Sequence, residues 1–421
     1  MGTGHSCPRG LRHGRAATRC PGAGPGTPGG TRRPAPRGRT YLPHYPAQVP
    51  RTTAGVRLAD LTTLRLGGPA RSLVTVTDEA ELADALTDDA LVLGGGSNLV
   101  VADAGIDAPV VRIAIPGITQ DSGDGDADTV TIGAGENWDE VVQRLVDDGR
   151  CGLAPLSGIP GSTGATPVQN VGAYGTEVSD LLVSVRVVDR RTRRAATLPA
   201  AELGLGYRTS ALRGTGLAVV TAVTFRLPRT PAPVRYAELA RALGVQPGEV
   251  ADERDVREAV LTLRRSKGMV LDPADPDSRS AGSFFTNPIL DAAGWAAARD
   301  RIAERLGDVP VPHYPAGEGV KLSAAWLIER AGFHRGHRGP GGRVGVSGKH
   351  TLALVTRDGG TTADLVELAA DIRDRVLDLF AVRLEPEPVF VGVALPTTDR
   401  RPPTADRRPT TADRRPPTDD R

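Results

Sequence analysis

The sequence has little of what marks several classes of protein. Its three cysteines, Cys7, Cys20 and Cys151, are scattered and odd in number, which argues against a disulfide framework and a zinc site and fits a reducing cytoplasm. No apolar run approaches the roughly 20 residues that cross a bilayer. The formal net charge of +2 lacks the basic excess of a nucleic-acid-binding protein. We therefore expect a cytoplasmic globular chain with no metal, nucleic-acid or membrane partner.

The two ends differ from the rest of the chain. Residues 1–50 contain eight arginines and no acidic residue, so they cannot bury a core and are predicted to be disordered. They could be a basic arm for an acidic partner or a translated leader upstream of the true start, and we favour the leader. Residues 396–421 repeat the triplet DRR at 399, 406 and 413 among Thr and Pro, which predicts a second disordered segment. The folded part is expected over about residues 51–395.

Strand-like and helical patterns alternate irregularly within this folded part. Strands are predicted at 62–70, 91–101 (two, around a glycine turn), 129–135, 181–189, 217–227 and 382–393. Helices are predicted after an N-cap at Thr77, at 138–149, 256–267 and 295–306, after an N-cap at Ser323, and at 362–380. Because no regular βαβ alternation is present, the fold class is predicted to be α+β rather than a doubly wound sheet.

The most informative stretch runs from Pro155 to Gly175 and reads PLSGIPGSTGATPVQNVGAYG. It holds five glycines and no charged residue, and it has neither a helical nor an alternating period. Glycines permit a left-handed backbone or close approach to a bound group. A long uncharged loop of this kind is uncommon without a function.

Three glycine turns could hold phosphates through their backbone N–H groups: GGGSN at 94–98, GAGENW at 133–138 and GSTGAT at 161–166. None is a Rossmann fingerprint, since GAGENW has Trp138 at the third glycine position. Each turn is weak evidence when it is considered alone.

Together, the GGGSN turn and the motif GIPGSTGATPVQNVGAYG resemble the flavin-binding half of the bacterial UDP-N-acetylenolpyruvoylglucosamine reductases, the MurB family. The resemblance extends from about Thr62 to Gly392. It implies an FAD-binding region of the vanillyl-alcohol-oxidase (PCMH) type over 51–230, in two subdomains, and a substrate-binding domain over 231–395. It also implies noncovalent FAD, because neither loop contains a His or Cys that could be flavinylated.

The resemblance assigns the cofactor contacts to the two loops. The predicted FAD-binding residues are Gly94, Gly95, Gly96, Ser97, Asn98, Leu99, Ile159, Pro160, Gly161, Ser162, Thr163, Gly164, Ala165, Gln169, Asn170, Gly172, Ala173, Tyr174 and Gly175.

Three short motifs, GYRTS, AGSFFTNP and LEPEPVF, each hold one polar residue that matches the family's active site: Arg208, Ser283 and Glu387. In isolation these could be a surface arginine, a turn serine and a solvated edge glutamate. Hydride addition to an enolpyruvyl ether leaves negative charge that a guanidinium can stabilise, and it then needs a proton that a hydroxyl can supply. The role of Glu387 is the least defined of the three.

One departure from the family pattern concerns charge. The family places an arginine after the glutamate motif, where this chain has Pro388-Val389. Substrate carboxylate binding is therefore expected to depend more on Arg208 and Lys321.

The substrate side is assigned by the same resemblance. Tyr236 and Lys267 match residues that close over the diphosphate in the longer subtype, where a lysine supplies a point charge. Lys267 could equally be a favourable cation at a helix C-terminus. Tyr207, Asn287 and Lys321 match further substrate-side positions, whereas Phe284 and Phe285 are expected in the core.

The implied activity is the NADPH-dependent reduction of UDP-N-acetylglucosamine enolpyruvate to UDP-N-acetylmuramate, by a monomer. Two other functions stay open at this point. One is a different FAD oxidoreductase of the same fold, and the other is a nucleotide-sugar-binding regulator without catalysis. Bound oxidised flavin that NADPH bleaches would distinguish these possibilities.

We predict that residues 1–50 and 396–421 are dispensable, because neither segment has enough apolar residues to pack. A chain of residues 51–395 should keep full turnover and nearly the same melting temperature. A large loss in either measurement would show that one of the ends docks on the folded part.

Overall fold

The protein is described by a computed structural model that covers residues 52–121 and 125–396. The expectations for residues 1–50 and for the DRR repeats lie outside these described residues. No helix in the described ranges is long and apolar enough to cross a membrane.

The described residues form strands and helices in mixed order. The strands are Thr52–Ala54 (β1), Ala70–Val76 (β2), Leu91–Leu93 (β3), Leu99–Val101 (β4), Ile106–Ile113 (β5), Ile118–Asp121 (β6), Ala127–Gly133 (β7), Gly172–Ala173 (β8), Thr176–Glu177 (β9), Leu182–Asp189 (β10), Ala195–Pro199 (β11), Ala218–Pro228 (β12), Ser280–Ser283 (β13), Ile289–Leu290 (β14), His313–Ala316 (β15), Gly319–Leu322 (β16), Val344–Val346 (β17), Ala353–Thr356 (β18) and Val389–Val391 (β19). The helices are Glu79–Ala85 (α1), Trp138–Asp147 (α2), Ala237–Leu243 (α3), Glu253–Ser266 (α4), Ala292–Leu306 (α5), Ala324–Arg330 (α6) and Thr362–Phe380 (α7). The predicted α+β class is confirmed.

The sheets fall into a parallel group, an antiparallel group and several small pieces. β1, β2, β5 and β3 form one four-stranded sheet, in which β2, β5 and β3 run parallel. β11, β10, β12, β7 and β6 form a five-stranded antiparallel sheet. The last strand, β19, returns to pair in parallel with β4, so the start of β19 lies beside the glycine turn that precedes β4.

Two large apolar cores lie beneath these sheets. The first packs α2 and the antiparallel sheet, with Trp138 and Phe225 fully buried at its centre, and it also receives α3 and α4. The second is built on α7 and contains both Phe284 and Phe285, as expected from the sequence. Leu64 and Leu66, from the N-terminal part of the chain, also belong to this second core.

Most elements follow local sequence signals. The Asn137 side chain accepts the N–H groups of Asp139 and Glu140 and so caps α2, and the Ser323 hydroxyl accepts the N–H of Trp326 and caps α6 as predicted. α7 begins with a capping box formed by Thr361 and Asp364.

The predicted N-cap of α1 is wrong by one residue. Asp78 is the cap, and Thr77 instead donates both its backbone N–H and its hydroxyl to the Glu81 carboxylate.

The predicted strand at 62–70 is also wrong. This segment is a loop in which Thr63 donates its N–H to the carbonyl of Gly96, while Arg65 has a left-handed backbone with φ of 56°. Leu64 and Leu66 alternate in the sequence because both are buried in the second core, so the period of two reflects packing rather than strand pairing.

The predicted strand at 382–393 is too long, because only Val389–Val391 forms a strand, β19. Pro386 and Pro388 cannot donate to a ladder, and the chain before β19 runs beside residues 284–286 instead.

A partly buried ion pair fixes the first core to the loop 155–175. The Asp139 carboxylate on α2 accepts the Gly158 N–H at 2.6 Å and an N–H of the Arg257 Nη1 on α4 at 2.6 Å. The Arg257 side chain is 8% exposed and the Asp139 side chain is 32% exposed. Burial raises the pKa of Asp139, but Arg257 and the Gly158 N–H more than offset this and hold the pKa below its usual value.

We predict that Arg257→Met lowers the free energy of unfolding by about 2 kcal/mol at neutral pH, because it leaves a partly buried carboxylate without its cation. The matched variant Arg254→Met removes an exposed arginine from the same helix, and it should change stability by less than about 0.5 kcal/mol. Urea denaturation monitored by tryptophan fluorescence gives both values.

The loss of stability in Arg257→Met should be larger at neutral pH than at acidic pH. Since the pKa of Asp139 is lowered in the folded state, the pair stabilises at neutral pH, and its contribution is lost as the pH falls below about 4. An equal loss for Arg257→Met at pH 3 and at pH 7 would contradict the assignment.

Candidate active site

A cavity of about 290 Å³ lies between the turn that follows β3 and the loop 155–175. Thirteen of the predicted cofactor residues line this cavity: Gly94, Gly95, Gly96, Ser97, Asn98, Leu99, Ile159, Pro160, Gly161, Ser162, Gly164, Ala165 and Gln169. Tertiary folding therefore brings the two loops, some 60 residues apart in sequence, into contact and into the lining of one cavity.

The turn at 94–98 keeps its backbone donors available. Within the described ranges, none of its five N–H groups donates a hydrogen bond to the protein, whereas the carbonyl of Gly96 accepts one from Thr63. A side chain cannot be added at Gly95, since its Cβ would lie 2.6 Å from the Gly161 Cα, and a Cβ on Gly94 would lie 2.5 Å from the Ser162 Oγ and displace that hydroxyl. A turn of exposed amides packed this closely on a second glycine loop is a cradle for an anion such as a phosphate.

The turn at 133–138 does not offer such a cradle, and that prediction is wrong. Ala134 donates its N–H to Thr221, Gly135 to Ile115 and Trp138 to Gly161. The carbonyls of Ala134 and Glu136 accept the N–H groups of Gly164 and Thr163. The turn therefore shapes the loop 155–175 instead of binding a phosphate.

Six predicted cofactor residues lie outside the cavity lining. They are Thr163, Asn170, Gly172, Ala173, Tyr174 and Gly175. Asn170 is buried with φ of 46°, and its amide bonds to Glu177, Gly206 and Ser179, which anchors the loop. Gly172 instead accepts a hydrogen bond from the Arg208 guanidinium at 2.7 Å through its carbonyl.

Arg208 and Glu387, separated by almost half of the chain, meet at the edge of the cavity. The Arg208 Nε lies 3.2 Å from the Glu387 Oε1, and their side chains are 21% and 14% exposed. Gln169 also donates to the Glu387 Oε1 at 3.2 Å, and the Gln169 Oε1 accepts from Asn98 at 2.9 Å. Burial raises the pKa of Glu387, and the Arg208 and Arg213 guanidinium groups partly offset that rise.

Ser283 is brought to the same place by a backbone pairing. It is the last residue of β13, and the carbonyl of the next residue, Phe284, accepts the Glu387 N–H at 2.9 Å. Gly282, with φ of 73°, lies inside β13, where the register with β18 shifts between Ser280 and Ser283. Phe284 and Phe285 are buried in the second core, so the backbone next to Ser283 is held rigidly.

Three predicted substrate-side residues form a second group. The Lys321 Nζ lies 5.0 Å from the centre of the Tyr207 ring, and the Tyr207 hydroxyl contacts Asn287. The Asn287 Oδ1 accepts the N–H of Ala324 at the start of α6. Burial raises the pKa of Tyr207, so it is a neutral hydroxyl donor at neutral pH.

The predicted diphosphate pair belongs to a third group. The Tyr236 ring meets Tyr174 edge-on at 5.6 Å between centres, and the Lys267 Nζ lies 5.7 Å from the centre of the Tyr174 ring. Lys267 is paired with Glu238 at 2.8 Å. Nearby, burial together with Lys267 and Arg264 lowers the pKa of His350 to about 4, so His350 is neutral in this cationic region.

Two of the cavity residues that were not predicted from the sequence are polar or aromatic side chains with defined hydrogen bonds, Arg213 and Trp138. Arg213, five residues after Arg208, lines the cavity beside Gly214, and only its closeness to the GYRTS motif could have indicated it. Trp138, fully buried, donates its Nε1 to the Leu156 carbonyl and forms part of the cavity wall.

A larger cavity of about 610 Å³ opens on the other side of Gly94 and Gly95 and contains arginines. It shares only Leu93 and these two glycines with the first cavity. Arg208, Ser283 and Glu387 line neither cavity, and Arg208 and Glu387 reach the first one through Gln169 and Arg213, which do line it. In the described ranges, no group of three or more His, Cys, Asp or Glu side chains is placed to hold a metal ion.

Comparison with known proteins gives a consistent family. A family model for the UDP-N-acetylenolpyruvoylglucosamine reductase C-terminal domain matches residues 273–391, and a model for an FAD binding domain matches residues 70–194. The reductase of Saccharopolyspora erythraea is 59% identical over 354 residues, which cover 82% of this chain and 96% of that protein. The reductase of Thermobifida fusca is 53% identical, with 81% of this chain and 98% of that protein covered.

A solved structure agrees with these matches. The UDP-N-acetylenolpyruvylglucosamine reductase (MurB) of Thermus caldophilus is 26% identical, with a TM-score of 0.55 and coverage of 82% of this chain and all of that one. The chain therefore belongs to the UDP-N-acetylenolpyruvoylglucosamine reductase family, the FAD-dependent oxidoreductases of peptidoglycan precursor synthesis.

Proposed function

We propose that this chain reduces UDP-N-acetylglucosamine enolpyruvate to UDP-N-acetylmuramate with Arg208, Ser283 and Glu387 as its catalytic residues. The observation that carries the proposal is the partly enclosed Arg208–Glu387 pair at the edge of the cavity between the two glycine loops. We further propose that the enzyme works as a cytoplasmic monomer.

The residues around the cavity fit FAD. The unpaired amides at 94–98 suit a diphosphate, and the apolar wall beyond them, which includes Ile113, Ala134 and Trp138, suits an aromatic ring system. When bound there, FAD carries the hydride from NADPH to the enolpyruvyl double bond. No His or Cys is among the residues that line this cavity, which supports noncovalent binding.

Arg208 is oriented to receive a carboxylate. Its guanidinium is fixed by the Glu387 carboxylate and the Gly172 carbonyl, which together use only part of its five N–H donors. The remaining donors can hold the substrate carboxylate and stabilise the negative charge that develops at C2. Glu387, which is also held by Gln169, sets the direction of Arg208.

Ser283 is proposed to give the proton to C2. Its position beside the Glu387 segment, on a strand supported by two buried phenylalanines, keeps the hydroxyl in a fixed place. Lys321, beside Tyr207 and Asn287, adds positive charge on the substrate side.

Tyr236 and Lys267 are proposed to hold the substrate diphosphate. Burial raises the pKa of Tyr236, so its hydroxyl is a donor at neutral pH. Lys267 is already paired with Glu238, so the diphosphate would take the place of the Glu238 carboxylate.

We predict that acid denaturation of the purified yellow protein releases all of its FAD into the supernatant. The reason is that the two loops contain no residue able to form a flavin bond. Flavin that stays with the precipitated polypeptide, or a well-folded preparation that never binds flavin, would contradict the assignment.

We predict that Ser283→Ala leaves reduction of the bound flavin by NADPH close to normal, because that step needs no proton at C2. Reoxidation by the enolpyruvyl substrate should slow by about a hundredfold or more, the effect of losing a positioned general acid. Ser283→Cys should recover part of the rate, since a thiol can also give a proton. Stopped-flow flavin absorbance separates the two steps.

Thr286→Val is the matched control for Ser283→Ala. It removes a hydroxyl from the same segment, one that donates to the Glu385 carbonyl, and both half-reactions should stay near normal. Equal slowing of both half-reactions by Ser283→Ala would indicate a structural role, and no slowing would show that the proton comes from elsewhere.

A further inference from the structure

Arg213 joins two catalytic motifs through their backbones. Its Nη1 donates to the carbonyl of Arg208 at 2.9 Å, and its Nη2 donates to the carbonyl of Glu387 at 3.4 Å. These carbonyls belong to segments that are 179 residues apart (387 minus 208). A single planar guanidinium therefore spans the two segments that carry the Arg208–Glu387 pair.

The backbone at Arg208 needs this support. Arg208 has φ of 54°, in the left-handed region that non-glycine residues rarely adopt. Such a conformation persists only where the surroundings determine it. The hydrogen bond from Arg213 to the carbonyl of Arg208 is one of the contacts that hold it.

The charge of Arg213 acts on Glu387 as well. Burial raises the pKa of Glu387, and the two groups that offset this are first Arg208 and then Arg213. A protonated Glu387 would lose its ion pair with Arg208. Arg213 therefore favours the ionised carboxylate that orients Arg208.

Arg213 also lies where the cavity would otherwise lack a cation. It lines the cavity together with Val389. Val389 belongs to the pair Pro388-Val389, which stands where the family pattern has an arginine. Val389 is 47% exposed and donates its N–H to the carbonyl of Asn98, so its side chain is free to vary.

We propose that Arg213 is a positioning residue for the reduction. It fixes the strained backbone of Arg208, keeps Glu387 ionised, and supplies from the GYRTS side the positive charge that Val389 does not. This inference rests on the proposed function, since it concerns how Arg208 holds the substrate carboxylate.

The first test measures binding to the oxidised holoenzyme by calorimetry. Arg213→Ala should weaken binding of UDP-N-acetylmuramate, which carries the carboxylate, by about tenfold, the effect of losing one well-placed hydrogen-bonding contact to a charged group. Binding of UDP-N-acetylglucosamine, which lacks the carboxylate, should change by less than about twofold. If neither ligand binds the wild-type enzyme, the proposed function fails and Arg213 is not at issue.

The second test measures both half-reactions between pH 5 and pH 9. In Arg213→Ala the acid limb of the reoxidation by the enolpyruvyl substrate should move to higher pH, because loss of the cation raises the pKa of Glu387 further. Reduction by NADPH should stay within about twofold. Arg226→Ala, which removes an exposed arginine from β12, is the matched control and should change neither step.

Two further variants separate charge from geometry. Arg213→Lys keeps the charge but cannot span both carbonyls, so it should keep the acid limb in place while recovering little of the binding loss. The double variant Arg213→Ala with Val389→Arg should return the acid limb toward its original position. An unmoved acid limb in Arg213→Ala, equal losses for both nucleotide sugars, or no return of the limb in the double variant would overturn the proposal.

Discussion

The proposed active centre depends on one ion pair between Arg208 and Glu387 that has little access to water. Neither partner could occupy this place alone, because an unpaired charge of either sign would be costly in a largely enclosed site. The pair also sets the geometry around it, since Gln169 from the glycine loop donates to the same carboxylate oxygen. The three segments that contain Gln169, Arg208 and Glu387 therefore meet at one carboxylate oxygen, the Glu387 Oε1.

A second constraint is the close approach of two glycine loops. Gly95 lies so near Gly161 that no side chain could be added there without moving the backbone. The amides of 94–98 donate to no acceptor in the described protein, and their residues line the cavity. The turn at 133–138 has a similar composition, but its amides donate hydrogen bonds to neighbouring segments, including the loop 155–175. Glycine content alone therefore did not distinguish a binding turn from a supporting one.

The substrate-side groups are arranged by charge. Lys267 is neutralised by Glu238, and His350 stays neutral because it is buried among cations. On the other side, Lys321 lies over the Tyr207 ring. The two lysines therefore have different partners. Lys267 is paired with the Glu238 carboxylate, which the proposed diphosphate would replace, and Lys321 lies over an aromatic ring.

Features that depend on neighbouring residues or on family motifs could be predicted from the sequence. The helix cap at Ser323, the strands around the 94–98 turn and the identity of the two glycine loops are such local properties, because short stretches of side chains set backbone preferences. The local pattern was misleading at 62–70, where Leu64 and Leu66 alternate because they enter a distant core. It was also misleading at 384–388, where two prolines prevent a ladder. The positions of Arg213 between Arg208 and Glu387, and of Asp139 and Arg257 at Gly158, followed only from the folded structure. Such contacts join residues far apart in the chain, and their geometry follows from the packing of whole elements rather than from any short pattern.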